Sequence, residues 1–114
     1  MTKIGAEYRF DGDIKKWHNA LGKILQVKKD SSVKIDWYSV YGGTSSGFLF
    51  EIIGDPEDVR EATKKIIDGV GVPYFARSGT DYNLFDEILK EYGMKTSRKF
   101  RGGGVGRWIC PIKT

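Results

Sequence analysis

Gly54-Asp55-Pro56-Glu57-Asp58, residues 54–58, is the clearest turning point in the chain. Asp55 has the short carboxylate that suits a helix N-cap. Pro56 follows at the first helical position, where no amide hydrogen is needed and the ring already sets a helical φ. Glu57 and Asp58 then put negative charge against the positive end of the aligned peptide dipoles. Downstream, Val59, Ala62, Ile66 and Ile67 recur at three- and four-residue spacing, which predicts an amphipathic helix ending near Gly69 and Gly71. Immediately upstream, residues 48–53 read as a strand. The rest of the chain organises around this strand-to-helix junction.

Working towards the N-terminus, Gly42-Gly43-Thr44-Ser45-Ser46-Gly47 reads as a flexible turn. Residues 33–41 alternate, with Val33, Ile35, Trp37 and Tyr41 on one side, so the two strands are expected to form a hairpin. Asp30-Ser31-Ser32 closes a preceding helix that carries Ile14, Trp17, Leu21, Ile24, Leu25 and Lys28 on one stripe. Asp13 is placed to cap that helix. Residues 3–10 alternate cleanly: Ile4, Ala6, Tyr8 and Phe10 share one face, and Lys3, Gly5, Glu7 and Arg9 the other. Period two predicts a half-buried strand.

Towards the C-terminus, residues 72–75 fit a short strand or a connector. Ser78-Gly79-Thr80-Asp81 starts a third helix with Leu84, Phe85, Ile88, Leu89 and Tyr92, and Gly93 suits a left-handed cap at its end. Residues 105–112 form a last strand, with Pro111 at an edge or at its end. The expected architecture is therefore α+β. A split β-α-β (ferredoxin-like) antiparallel sheet has its helices on one face, with an additional C-terminal helix and strand. Residues 1–114 are expected to form a single domain.

Composition agrees with a packed domain: 39% of the 114 residues are hydrophobic, 13% aromatic and 30% charged. A chain of this length buries roughly two-thirds of its unfolded surface and needs no covalent staple. Cys110 is the only cysteine, so no internal disulfide forms, which points to a reducing compartment. No apolar run approaches the ~20 residues of a membrane span. Met1-Thr2-Lys3-Ile4-Gly5 runs directly into the first strand pattern, so a cytoplasmic chain without a targeting segment or membrane partner is expected.

The net charge of +4 is unevenly distributed. All 15 acids and 13 of the 19 bases lie in residues 1–91, a balance of 13 − 15 = −2. Residues 92–114 hold Lys95, Arg98, Lys99, Arg101, Arg107 and Lys113 and no acid, a balance of +6. Such a local field favours polyanions.

The stretch Gly47-Phe48-Leu49-Phe50-Glu51-Ile52, followed by Asp55-Pro56-Glu57-Asp58-Val59 and Ala62, resembles the third strand and second helix of an RNA recognition motif. The resemblance covers residues 47–62. It implies a four-stranded sheet whose aromatics stack on bases, and it would place that role on Phe48 and Phe50. Ser46 stands where the family has Lys or Arg, and Leu49 where it has Gly or Ala. The resemblance supports the topology more than RNA binding, and the favoured alternative is that Phe48 and Phe50 are core residues under a helix.

The residues themselves point to one main candidate site. Lys95, Arg98, Lys99, Phe100, Arg101, Arg107 and Trp108 surround a glycine run, Gly102, Gly103, Gly104 and Gly106. Cations contact phosphates, glycines let a backbone approach closely, and Phe100 or Trp108 can stack on a base. The same glycines could serve only to turn the chain, with Trp108 in the core. Cys110 alternates with Trp108 and Ile112, which suggests burial. A second constellation is Glu7 and Asp36, placed by alternation on one sheet face with Arg9, Lys34 and Tyr38, and joined by Glu51 if Phe48, Phe50 and Ile52 face the core. Three carboxylates close together could bind Mg²⁺ and support phosphodiester hydrolysis. His18, the only histidine, excludes paired-histidine metal sites.

The expected function is a non-catalytic nucleic-acid-binding domain, for RNA or DNA, requiring no cofactor or metal. A small-ligand module for a nucleotide or phosphometabolite, or an acidic-protein-binding module, dimeric through its sheet, is the alternative. A metal-dependent phosphodiesterase or nuclease is the third reading.

Overall fold

The computed structural model describes residues 1–42, 45–97 and 106–113, and the side chains of 40–42, 45 and 46 are not described. The elements follow in the order β1 (Thr2–Arg9), α1 (Ile14–Asp30), β2 (Lys34–Gly42), β3 (Ser45–Gly54), α2 (Pro56–Val70), β4 (Phe75–Arg77), α3 (Tyr82–Lys90), β5 (Met94–Thr96) and β6 (Gly106–Pro111). The six strands form one sheet in the order β2-β3-β1-β4-β6-β5, with every neighbouring pair antiparallel. The α+β class is as expected. Two features are new: residues 75–77 are a true strand, and Met94–Thr96 adds an edge strand beyond β6. Pro111 ends an interior strand rather than lying on an edge.

Alternation sorts the sheet into two faces. Ile4, Ala6 and Tyr8 of β1 pair with Ile52, Phe50 and Phe48 of β3, and all six are buried in the core. Ile35, Ala76 and the partly buried Trp37 and Ile109 join the same side. Helices α1, α2 and α3 supply the other half of that core through Ile24, Val27, Val59, Ile66, Phe85 and Leu89. All three helices therefore cover one sheet face.

Local chemistry explains the helix ends. Asp13 accepts a hydrogen bond from the Lys16 amide (3.1 Å), and Asp81 from the Leu84 amide (3.1 Å), each satisfying a first-turn donor. Asp55 stands at the N-cap of α2 as expected, but its side chain makes no cap bond; Pro56, Glu57 and Asp58 carry the start of that helix. Gly93 adopts φ 74, the left-handed turn anticipated for it.

On α1 the buried residues are Ala20, Ile24 and Val27, with Trp17 and Leu21 partly buried. Ile14 and Leu25 are exposed (48% and 43%), unlike their placement on the apolar stripe. Leu25 follows Ile24 by one residue and so is turned ~100° off the packing face. Ile14 opens the helix and faces solvent.

Two polar ties join β1 to the ends of the helical segments. Tyr8 donates its hydroxyl to the Gly71 carbonyl (2.7 Å), and burial pushes that phenol well above its ordinary range, so it stays a donor. Buried Thr80 accepts from the Gly5 amide (2.9 Å) and donates to the Gly5 carbonyl (3.1 Å), joining the α3 entry to mid-β1. Thr80→Val leaves both Gly5 groups without that partner. The expected loss is about 1–3 kcal/mol, read as a lower urea midpoint at unchanged slope.

Candidate nucleic-acid interface

The face opposite the helices carries Lys3, Gly5, Glu7 and Arg9 from β1, Leu49, Glu51 and Ile53 from β3, and Lys34, Asp36 and Tyr38 from β2. Phe75 and Arg77 of β4, Trp108 and Cys110 of β6, and Lys95 of β5 complete it. No helix of the described residues packs on this side. One register row crosses five strands: Tyr38, Leu49, Glu7, Phe75 and Trp108 lie side by side. Both ends of the row are exposed aromatics, Tyr38 at 61% and Trp108 at 45%.

The Trp108 end is the more elaborate. Its ring meets Phe75 edge-on at 5.2 Å and lies 5.8 Å from Tyr74. Tyr74 donates to Glu7 Oε2 (3.0 Å), and Arg77 donates to Glu7 Oε1 (2.8 Å). The Arg9 guanidinium lies over the Tyr74 ring at 5.0 Å. Partial burial, then the neighbouring Glu7 carboxylate, raises the Tyr74 phenol, which fixes it as the donor in that pair. The result is an aromatic surface with guanidinium groups set beside it and a carboxylate whose oxygens are already engaged.

Gly106 makes this packing possible. It adopts φ 141, which side-chain-bearing residues rarely take, and a Cβ there would meet the Ala76 carbonyl and the Phe75 ring. The Phe75 ring fills the space a side chain would need.

The candidate site residues separate on this framework. Trp108 and Lys95 lie on the helix-free face. Arg107 lies on the other, where its guanidinium stacks over the Tyr82 ring of α3 at 3.9 Å. Arg98, Lys99, Phe100 and Arg101 fall within 98–105, outside the described residues. Trp108 is not a core residue, and Cys110 is only half-buried. Strand β6 is flanked by β4 and the short β5, so its helix-free side has little to bury against.

Phe48 and Phe50 are 1% and 0% exposed and face the helices. The base-stacking role that the family resemblance would put on them is closed off by packing: among the described residues the exposed aromatics are Tyr38 of β2 and Trp108 of β6, with Phe75 of β4 half-buried beside Trp108. Tyr74, Phe75 and Arg77 were not legible as site residues because 72–75 carries no alternation long enough to assign a face.

The carboxylates are held by cations instead of grouped around a metal. Glu51 pairs with Lys3 (3.3 Å), Asp36 with Lys34 (3.8 Å) and Glu7 with Arg77. Among the described residues no cluster of three His, Cys, Asp or Glu could hold a metal ion. His18 is exposed on α1 and edge-on to Trp17 at 4.9 Å. Among the described residues, no helix is long and apolar enough to cross a membrane.

Comparison with protein-family models, characterised proteins and solved structures finds no match to this chain.

Proposed function

We propose that the chain is a non-catalytic nucleic-acid-binding domain whose ligand lies across the helix-free sheet face. The observation that carries this reading is the row Tyr38-Leu49-Glu7-Phe75-Trp108, with Tyr74 beside it and exposed aromatics at both ends. Flat aromatic surface stacks on any base, which suits single strands better than a closed duplex. Among the described residues, five cations on this face, Lys3, Arg9, Lys34, Arg77 and Lys95, outnumber the three carboxylates Glu7, Asp36 and Glu51. Arg98, Lys99 and Arg101, adjoining Lys95 in the chain, add phosphate contacts, and Phe100 a further stacking ring.

The fold is read in the same proposal. The sub-order β2-β3-β1-β4, with α1 and α2 on one face, supports a split β-α-β core. In that reading α3, β5 and β6 extend the core at the β4 edge and bring Trp108 onto the binding face.

A salt series on RNA and DNA oligonucleotides tests the function. Each phosphate neutralised on a single strand contributes about −0.7 to the slope of log affinity against log salt. Four such contacts give about a fifty-fold weakening between roughly 50 and 200 mM salt. Absence of binding at low salt, or affinity indifferent to salt, rejects the reading.

A further inference from the structure

Strand β2 is one edge of the sheet, and among the described residues it pairs with β3 alone. In such a strand alternate residues direct their N–H and C=O groups outward, a template for a further strand. The opposite edge, β5, is only three residues long and offers little to pair with. β2 is nine residues long. Its register with β3 runs from Lys34↔Ile53 to Gly42↔Ser45 without a skipped residue, so no bulge turns the edge away. It contains no proline. Its two charges, Lys34 and Asp36, lie at one end and offset each other at 3.8 Å. Tyr38, at the midpoint of the strand, is 61% exposed.

We propose that β2 pairs antiparallel with β2 of a second copy of this chain, giving a two-fold dimer with one continuous sheet. Symmetry and charge select this occupant. Antiparallel pairing of an edge with its own copy takes a two-fold axis perpendicular to the sheet, so opposed residues share a face and the axis passes through a residue position. Centred on Asp36, two carboxylates would stand opposite each other; centred on Trp37, they become diagonal neighbours and the end of the strand is left unpaired. Centred on Tyr38, the whole strand pairs: Lys34 lies opposite Gly42, Asp36 opposite Val40, and neither of those partners is charged. The strand is thus complementary to itself in one register. A head-to-tail array would have to use the three-residue β5, so the assembly closes as a dimer. The same register sets Tyr38 beside Tyr38 of the second copy. The row Trp108-Phe75-Glu7-Leu49-Tyr38 then continues in mirror order across ten strands. At about 4.8 Å per strand, the two tryptophans stand roughly 43 Å apart along the sheet. The edge pairing is independent of the nucleic-acid reading; the use of the doubled row as one binding surface rests on it.

Sedimentation velocity of the full chain from about 1 to 500 µM tests the pairing by mass action. A single strand ladder is a small, reversible interface. The expected result is a monomer of 12.9 kDa at the low end and a dimer of 2 × 12.9 = 25.8 kDa at the high end. Tyr38→Asp and Tyr38→Lys each set like charges opposite one another at the two-fold, and each is expected to weaken the dimer at least about tenfold. Tyr38 is exposed, so both variants keep the fold, which thermal melts at low concentration check. An equimolar mixture of the two exchanges repulsion for an opposite-charge pair and restores the dimer. A chain that stays monomeric throughout the range overturns the proposal. So does a dimer that neither substitution weakens, or a mixture of folded variants no more dimeric than its components. In a second arm, a labelled single-stranded oligonucleotide is titrated above and below the dimer transition. If the chain dimerises and binds no strand at either concentration, the edge pairing stands and the nucleic-acid reading falls.

Discussion

Phe50→Ala is expected to cost about 3–5 kcal/mol of folding stability, the range for truncating a fully buried aromatic. Phe50 is 0% exposed, sits between Ala6 and Trp37 in the sheet register, and lies 5.9 Å from the Tyr8 ring. Neither neighbour can move into the vacated space without breaking the strand pairing, so a cavity remains. Against a typical total of about 5–15 kcal/mol, this leaves a marginal domain. The urea midpoint falls sharply, and the melting temperature drops by more than about 10 °C. Tyr38→Ala is the matched control. It lies two strands from Ala6 on the same sheet but faces away from the helices, and its loss is expected to stay within about 0.5 kcal/mol. A small effect at Phe50, or a large one at Tyr38, would mean that the two sheet faces are assigned the wrong way round.

The second large effect concerns binding. Stacking of a base on an aromatic side chain is worth about 1–3 kcal/mol, so Trp108→Ala is expected to weaken single-strand affinity by roughly 5- to 150-fold. Trp108→Phe retains a stacking surface and keeps most of the affinity. Arg107→Ala separates this site from a general charge effect. Arg107 adjoins Trp108 in sequence but points to the opposite face and stacks on Tyr82. Its removal is expected to change affinity no more than about threefold, the small effect of a charge held away from the contact. Fluorescence anisotropy of a labelled oligonucleotide measures all three. Equal losses at Arg107 and Trp108 would place the contact elsewhere than on the helix-free face.

Most of the secondary structure is legible from periodicity. β1 could be placed because eight residues alternate without interruption, and α2 because Pro56, Glu57 and Asp58 mark its start chemically. β4 and β5 could not. Each is three residues long, too short for a period to emerge, and each exists because a neighbouring strand offers its edge: β1 to Phe75–Arg77, β6 to Met94–Thr96. The exposed ends of the α1 stripe were misplaced for a related reason. Spacing identifies a helix face, but the width of that face is set by the surface it packs against.

The candidate site divides along the same line. Composition alone marks residues 92–114 as the positive end of the chain, and alternation alone places Glu7, Arg9 and Asp36 opposite the apolar residues of their own strands. Those are local properties, and one strand or one segment suffices to carry them. That Trp108 is exposed while Phe48 and Phe50 are buried is not local. All three are aromatic residues in alternating strands, and their sequence patterns are alike. The helices settle the matter by covering one face, and the order β1-β4-β6 settles which aromatics meet on the other. Tyr74, Glu7, Arg77 and Arg9 become one cluster only because strands 67–70 residues apart in the chain lie side by side. Period and charge were written in the sequence; the partners of each side chain came from sheet order, which depends on long-range pairing that no single segment encodes.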